Sequence, residues 1–371
     1  MLSPLPCALY GEPILLLASM SLCLGALADR VNGQGGGTYP SARIDVIVSA
    51  YQEPLARRYQ WLDHVLVTPP YPGLDFGEVD QAAIGEFYLE AGNRQYDLAL
   101  QFAGGGINSN RYTVQLGASL TVGHCEAGAV KLDFCLPYAP RRPEVLRFLD
   151  LARLVGAKPT STDIELPISL ADERELEQLD PPLDRQRLAA GGYVGVHLGS
   201  RSGARCWLSD RFAAVLRALL SEFDLRALLL GESAEAPRAL AVIQGLGRLG
   251  RRVDNLVGKT SLGALIALIA KLTLFLGNDS GPAHMADALN VPSVVVFGFA
   301  HPLQWQPITQ TWHRVVADWQ APCHQGISCG CSDDSTAICL QGVQPAAVWH
   351  EVRELLRLQE QVRKARARSS C

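Results

Sequence analysis

The sequence predicts an α/β protein made of two Rossmann-like domains. Apolar runs at residues 193–198, 227–230 and 291–297 have the length and the Val and Leu content of buried strands, and segments of helical length separate them. Such alternation with short loops favours parallel sheets covered by helices on both faces. The chain has 371 residues, which suits two domains of ordinary size.

The first half of the chain carries candidate strands at residues 14–18, 44–49, 64–68 and 98–102, and a candidate helix at 143–155. Residues 167–182 are rich in acidic side chains and end in Pro181-Pro182, which is typical of a helix followed by a linker. We therefore expect an N-terminal domain at 1–185, a second domain at 186–350, and a C-terminal basic helix or tail at 351–371.

The second half begins with the strand at 193–198 and continues with a helix that starts at Ser209. The strand at 227–230 follows, then helices at 236–249 and 262–271, an apolar strand that ends near Gly277, a helix at 283–289 and the strand at 291–297. A long amphipathic helix is predicted at 348–368.

The most informative segment is the polar turn between that apolar strand and the helix at 283–289. Pro282 suits the first turn of a helix, where its missing N–H costs nothing. Ser280 and Gly281 are small and leave backbone amides bare at a helix N-terminus, which attracts phosphates. Open parallel sheets bind ligands at the carboxyl ends of their strands, so we expect an anion site here.

Four groups of residues resemble glycosyltransferase family nine, the heptosyltransferase-like enzymes. The first is Asp279-Ser280-Gly281-x-x-His284, with Ala288-Leu289, Val291-Pro292 and Phe297-Gly298 behind it. The others are residues 194–200 through Arg205-Cys206-Trp207, residues 228–231 with Glu235, and residues 96–101 through Gly105, Ser109-Asn110 and 116–118. The likeness covers residues 40 to 357 and is weakest at its start.

The resemblance implies a GT-B fold, in which two Rossmann-like domains with parallel sheets face a cleft. It also implies an inverting, metal-independent transfer of a sugar from a nucleotide-diphosphate donor to a lipopolysaccharide core or related glycan. No cofactor is expected, and ADP-heptose is the family's default donor. The N-terminal domain would take the glycolipid or glycan acceptor, and the second domain would take the donor.

The residues that the resemblance places at the donor are Ser200, Arg205, Glu235, Asp279, Ser280, Gly281, Pro282 and His284. Amides and a fixed cation stabilise the leaving diphosphate; Arg205 stands where the family usually has Lys, which keeps the charge and changes its geometry. Arg201 is a second candidate cation.

Three of the donor residues keep alternative interpretations. His284 contacts the donor or packs in its helix, Asp279 binds sugar hydroxyls or holds its own turn, and Glu235 accepts from ribose hydroxyls or is an ordinary loop acid. On the acceptor side we single out Gln101, Gly105 and Asn110, which belong either to a contact region or to a loop without ligand.

The general base is where the sequence departs from the family pattern. The family carries a Gly-Asp pair after its first strand, whereas the matching stretch at 21–26 contains no carboxylate. Asp29 is the nearest acid and would sit one helical turn from position 26. It is our candidate catalytic base, together with Arg205 as the catalytic cation. The alternative is a catalytically impaired nucleotide-sugar-binding protein of the same fold.

The amino-acid composition limits the possible classes of protein and the cellular compartment that we expect. The net charge of −4 argues against a general nucleic-acid binder. Ten cysteines, mostly in apolar contexts, suit reduced thiols in a cytoplasmic enzyme. Cys323, Cys329, Cys331 and Cys339 lie near His324, but their spacing is not that of a standard zinc site, so we favour packed thiols and expect no metal.

Each end of the chain has two possible interpretations. Residues 14–28 are apolar and include Ala26-Leu27-Ala28, which resembles a signal cleavage site, but no Lys or Arg precedes them. We favour a first sheet strand over a secretory signal. The basic end of the helix at 348–368 either complements the helix dipole or contacts anionic lipid, as an enzyme peripheral to the inner membrane would.

Overall fold

The computed structural model describes residues 43–74, 77–159, 161–309, 311–325 and 337–369, with side chains up to residue 366. The predicted strand at 14–18, the signal-like segment, Asp29, Cys329 and Cys331 lie outside these ranges. The chain divides into two units between Pro167 and Ile168.

The first unit contains parallel strands in two groups. Strands β1 (Asp45–Ser49) and β2 (His64–Thr68) pair with each other, and β3 (Leu98–Leu100), β4 (Leu120–Cys125) and β5 (Phe134–Pro137) form a three-stranded sheet in that order. Its helices are α1 (Glu53–Ala56), α2 (Gln81–Asn93), α3 (Ser109–Gln115) and α4 (Glu144–Leu154). The predictions for β1, β2, β3 and α4 are confirmed, whereas β4 and β5 were not predicted: β4 contains Gly123 and His124, and β5 has four residues and ends in Pro137.

Local chemistry explains where α2 begins and which face it buries. The Asp80 carboxylate accepts hydrogen bonds from the amides of Ala82 and Ala83, which satisfies two amides of the first turn. Ile84, Phe87 and Ala91 repeat at helical spacing and are buried in the core of this unit.

One expectation about the cysteines is wrong for the first unit. Cys125 on β4 and Cys135 on β5 are joined as a disulfide, although scattered reduced thiols were expected. Neighbouring parallel strands bring the two side chains together, which their positions in the sequence do not reveal. Outside this pair, Cys206 is a buried free thiol.

The second unit is built on a six-stranded parallel sheet. Its strands are β6 (Tyr193–His197), β7 (Arg226–Leu230), β8 (Val253–Asn255), β9 (Leu274–Asn278), β10 (Ser293–Phe297) and β11 (His313–Ala317). They lie in the order β11-β10-β9-β6-β7-β8, so the direction of winding reverses between β6 and β9. This order has a single topological switch point, the place where doubly wound sheets bind ligands.

Eight helices of the second unit follow in chain order. They are α5 (Leu170–Glu177), α6 (Arg185–Ala189), α7 (Ser209–Glu222), α8 (Ala236–Leu246), α9 (Leu262–Ile269), α10 (Gly281–Ala288), α11 (Pro302–Trp305) and α12 (Ile338–Gly342). Every residue of β6, β9 and β10 is buried, so the sheet is covered on both faces as its uninterrupted apolar runs predict.

The acidic stretch that we expected to close the first domain belongs to the second unit. Ser169 and Asp172 form a capping box at the start of α5. Helix α5 packs against α9, and the Ser261 hydroxyl bonds Glu175 while Lys271 pairs with Glu173 at 3.0 Å. The division therefore falls before this helix, and not near residue 185.

The last helix, α13 (Pro345–Ser369), is part of the second unit as well. Val348, Val352, Leu355 and Leu356 are buried in the core that also contains α7 and the sheet. Arg353 and Arg357 pair with Glu222 of α7. Among the described residues, no helix combines the length and the apolar character that crossing a membrane requires.

Candidate functional site

The candidate donor site lies at the switch point, where β6 and β9 end side by side. Asn278, the last residue of β9, is completely buried. Its side-chain amide donates to the carbonyls of Leu198 and Gly199, each at 3.1 Å, and its Oδ1 accepts from the Trp207 amide at 2.9 Å. One side chain thus ties the loop after β6 to the end of β9.

Helix α10 begins directly after this strand. The Ser280 hydroxyl is buried, donates to the Asn278 carbonyl at 3.2 Å and contacts His197 Nδ1 at 3.2 Å. Within the described part of the chain, no acceptor takes the amide of Gly281, and Pro282 occupies the first turn as predicted. Because the Ser280 hydroxyl is already bonded, the donor that this turn presents to an anion is the backbone amide of Gly281.

Three charged or polar side chains meet beside this turn. Arg205 Nη1 lies 3.7 Å from Asp279 Oδ2, and His284 Nε2 lies 3.9 Å from Asp279 Oδ1. Asp279 and His284 are almost completely buried, and neither carboxylate oxygen of Asp279 nor His284 Nε2 has a hydrogen-bond partner among the described residues. Buried polar atoms without partners are rare in folded proteins, and they mark this trio as a place for a polar ligand.

Burial sets the protonation of the trio. It raises the pKa of Asp279, and the neighbouring Arg205 guanidinium opposes that shift. Burial and, second, Arg205 lower the pKa of His284 to about 3, so its ring is neutral at physiological pH. A neutral imidazole donates one hydrogen bond and accepts another, which suits hydroxyl or phosphate oxygens.

Glu235 reaches the same region from the next strand of the sheet. Its carboxylate accepts from the Glu232 amide and lies so close to Gly199 that a Cβ there would meet the Glu235 carboxyl carbon at 2.6 Å. Desolvation by burial raises its pKa. Ser200 donates to the Asp279 carbonyl at 3.3 Å. The structure thus places Ser200, Arg205 and residues 279–284 around one turn, and it places Glu235 beside Gly199 at the entry of the loop that carries Ser200 and Arg205.

In the first unit, the three expected acceptor-side residues lie around one turn. Asn110 is fully buried and its amide nitrogen donates to the carbonyls of His124 and Val130. The Gln101 amide contacts Ala103 and Ser109, and the Gly105 carbonyl accepts from the Glu126 amide at 2.8 Å. These bonds hold the turn, while Gln101 Oε1 and Asn110 Oδ1 are buried and have no hydrogen-bond partner within the described ranges.

The described part of the cysteine-rich segment includes Cys323, His324 and Cys339. Both ring nitrogens of His324 contact backbone carbonyls, Nδ1 that of Asp318 at 2.7 Å and Nε2 that of Gly298 at 2.6 Å. Cys323 and Cys339 pack with small apolar residues. No cluster of three potential metal ligands occurs among the residues whose placement is described.

Sequence reasoning missed two residues of the site, Asn278 and His197. Both are the last residues of their strands, and both are polar at the end of an otherwise apolar run. A polar residue at the end of an apolar strand could have indicated them from the sequence, since ligands of parallel sheets bind at the carboxyl ends of the strands.

Comparison with known proteins agrees with this geometry. The family model of glycosyltransferase family 9 (heptosyltransferase) matches residues 88–331, more than half of the chain. Lipopolysaccharide heptosyltransferase 3 of Escherichia coli K12 is 33% identical over 129 residues, which are 34% of this chain and 36% of that protein. The chain thus spans less than half the length of this curated relative.

Solved structures resemble the chain over nearly its whole length. The structure of E. coli ADP-heptose lps heptosyltransferase II covers 95% of this chain and 98% of its own, with a TM-score of 0.69 and 20% identity. E. coli heptosyltransferase WaaC with ADP covers 91% and 97%, with a TM-score of 0.62 and 17% identity. These likenesses show the expected GT-B fold, and together with the family match they establish that the chain belongs to glycosyltransferase family 9 (heptosyltransferase).

Proposed function

We propose that this protein transfers a heptose from ADP-heptose to a lipopolysaccharide-core or related glycan acceptor. The observation that carries the proposal is the buried trio of Arg205, Asp279 and His284 beside the amide-bearing start of α10. A diphosphate with a sugar attached presents the anionic and hydroxyl oxygens that such a group of donors and acceptors binds.

The reaction proposed for this site is a direct displacement. A base takes the proton of the acceptor hydroxyl, that oxygen bonds to the anomeric carbon, and ADP leaves with the electron pair of the broken bond, which inverts the configuration. Arg205 and the α10 amides stabilise the charge that grows on the leaving diphosphate, so the mechanism is metal-independent. Glu235 accepts from ribose hydroxyls, and Asp279 accepts from a hydroxyl of the sugar.

Asp29 is our proposed base, and the turn with Gln101, Gly105 and Asn110 is proposed to face the acceptor. Because a lipopolysaccharide precursor is anchored in a bilayer, we also propose that the enzyme works in the cytoplasm at the inner membrane surface. The printed names of the relatives support the choice of substrates, since one is a lipopolysaccharide heptosyltransferase and another was solved with ADP.

Calorimetry with ADP, UDP and GDP, followed by turnover of ADP-heptose on truncated lipopolysaccharide, tests the proposal. We expect ADP to bind most tightly and heptose to be transferred. Asp29→Ala should abolish transfer and spare ADP affinity, because a base acts on the acceptor. ADP binding without transfer by the unaltered protein would favour the catalytically impaired alternative, and absence of nucleotide binding would refute both.

A further inference from the structure

The loop at residues 199–207 is held at both of its ends by a single side chain. At its entry, the Asn278 amide nitrogen donates to the carbonyls of Leu198 and Gly199. At its exit, Asn278 Oδ1 accepts the Trp207 amide. The loop between these two points carries Ser200, Arg201 and Arg205.

The loop has further contacts besides those with Asn278. The Arg205 amide bonds the Ser202 carbonyl at 3.0 Å and the Cys206 amide bonds the Gly203 carbonyl at 3.0 Å, and these bonds shape the turn. Trp207 Nε1 donates to the Val343 carbonyl at 3.2 Å, and the Ser200 hydroxyl donates to the Asp279 carbonyl at 3.3 Å. Asn278 precedes Asp279 directly and therefore sets the loop against the acid that Arg205 faces.

We propose that Asn278 is a positioning residue, which holds the 199–207 loop so that Arg205 stands opposite Asp279 in the donor site. The expected effect on donor binding rests on the proposed function, whereas the expected effect on the order of the loop does not. Its amide is suited to the task because it donates to two carbonyls with one end and accepts an amide with the other. No other residue type of this size offers both.

The substitution Asn278→Asp should release one end of the loop, and Asn278→Ser should release both. Aspartate keeps the oxygen that accepts from Trp207 and places a second oxygen against the Leu198 and Gly199 carbonyls, so the entry of the loop is released. Serine is too short to hold both ends. A matched control is Thr273→Val, since the Thr273 hydroxyl bonds the Gly191 carbonyl and joins the amino ends of the same two strands, β6 and β9.

The first measurement is hydrogen–deuterium exchange of the full chain without ligand. We expect both Asn278 variants to exchange about tenfold faster or more at residues 199–207, and Thr273→Val to exchange there as the unaltered protein does. Unchanged exchange in the Asn278 variants, or equal acceleration in the control, would overturn the proposal. This arm decides the question whatever the protein binds.

The second measurement is ADP affinity by calorimetry at a temperature where all variants are folded. Asn278→Asp should weaken ADP binding about tenfold or more, while Thr273→Val leaves it unchanged. In a double-mutant cycle with Arg205→Ala, the two losses should be strongly non-additive, because both act through one guanidinium. Additive losses would overturn the positioning role, whereas failure of the unaltered protein to bind ADP would refute the proposed function alone.

Discussion

Single residues at the switch point combine burial with polar atoms that make no hydrogen bond to the described residues, and this combination determines what the site can bind. Asp279 is 1% exposed and its carboxylate faces Arg205 at 3.7 Å, beyond hydrogen-bond distance. Burying a carboxylate costs several kcal/mol of stability unless a cation or hydrogen bonds compensate. Each buried acceptor that is left without a hydrogen bond costs roughly 1–3 kcal/mol. Arg205 and an incoming sugar hydroxyl would together supply that compensation.

Replacement of Arg205 tests this balance. Arg205→Ala should weaken ADP binding about 10- to 100-fold, since a charge-assisted hydrogen bond to phosphate contributes roughly 1.5–3 kcal/mol. Arg205→Lys should lose less, because the charge remains. Calorimetry measures both, with Arg211→Ala as the control: Arg211 bonds the carbonyls of Leu340, Gln341 and Val343 and lies outside the site. Equal affinity of the Ala variant and the unaltered protein would contradict the role.

Gly199 tests the placement of Glu235. In Gly199→Ala the new Cβ would meet the Glu235 carboxyl group at 2.6 Å, which forces that side chain away. We expect the affinity for both ADP and adenosine to fall by about 1 kcal/mol or more, because a ribose hydroxyl loses its acceptor. Gly92→Ala, at a helical glycine with nothing within 4 Å of the added methyl group, should leave both affinities unchanged. Unaltered adenosine binding in the Gly199 variant would argue against a ribose role for Glu235.

At the scale of elements, the donor turn depends on a helix that cannot form by itself. Helix α10 has eight residues, and isolated helices of that length are marginal in water. Ala283, Met285, Ala286 and Ala288 are buried, so packing against the sheet stabilises the helix. The orientation of its first turn is therefore set by the strands and not by its own propensity.

Helix α5 provides a prediction about where the second unit begins. A fragment of residues 168–371 keeps α5, with its buried Leu176, on α9, whereas a fragment of residues 186–371 loses that helix and exposes the α9 surface on which it packs. We expect the longer fragment to be more stable by about 2 kcal/mol, the value of burying one large apolar side chain. Urea unfolding of both fragments measures the difference, and equal stabilities would favour a boundary near residue 185.

At the scale of the whole molecule, the second unit contains three buried histidines that are neutral. Burial is the first cause in each: it lowers the pKa of His197 to about 4, of His284 to about 3 and of His313 to about 4. In the unfolded chain these rings titrate near 6.5. Between pH 6.5 and about 4 the unfolded chain therefore binds more protons than the folded protein does.

Acid should consequently destabilise the protein. The free energy of unfolding should be fully developed above pH 6.5 and fall as the pH drops toward 4, by up to about 1.4 kcal/mol per pH unit for each ring. The raised pKa values of Asp279 and Glu235 act in the opposite direction and offset part of the slope. Urea unfolding from pH 7 to 4.5 measures the slope, which should be smaller in His313→Gln; an identical slope would contradict the assignment.

Local sequence patterns predicted many of the strands and helices of the fold. The apolar runs of β6, β9 and β10 and the periodicity of α4, α7 and α13 are written in consecutive residues, so they could be predicted. Strands β4, β5 and β11 could not, because their sequences carry no clear strand pattern and depend on pairing with neighbouring strands. The Cys125–Cys135 pair escaped prediction for the same reason.

The sequence by itself determined the parallel α/β architecture and the residue types of the candidate donor site, because strand length, helix periodicity and the Asp279-Ser280-Gly281 turn are local. Only the tertiary structure decided that Ser280 turns its hydroxyl inward, that the Asp279 oxygens and His284 Nε2 make no hydrogen bond to the described residues, and that Asn278 bonds both ends of the loop of Arg205. Those outcomes depend on β6 and β9 lying side by side, which joins residues 80 positions apart in the chain. Contacts at that separation follow from strand order, and strand order is a property of the folded sheet.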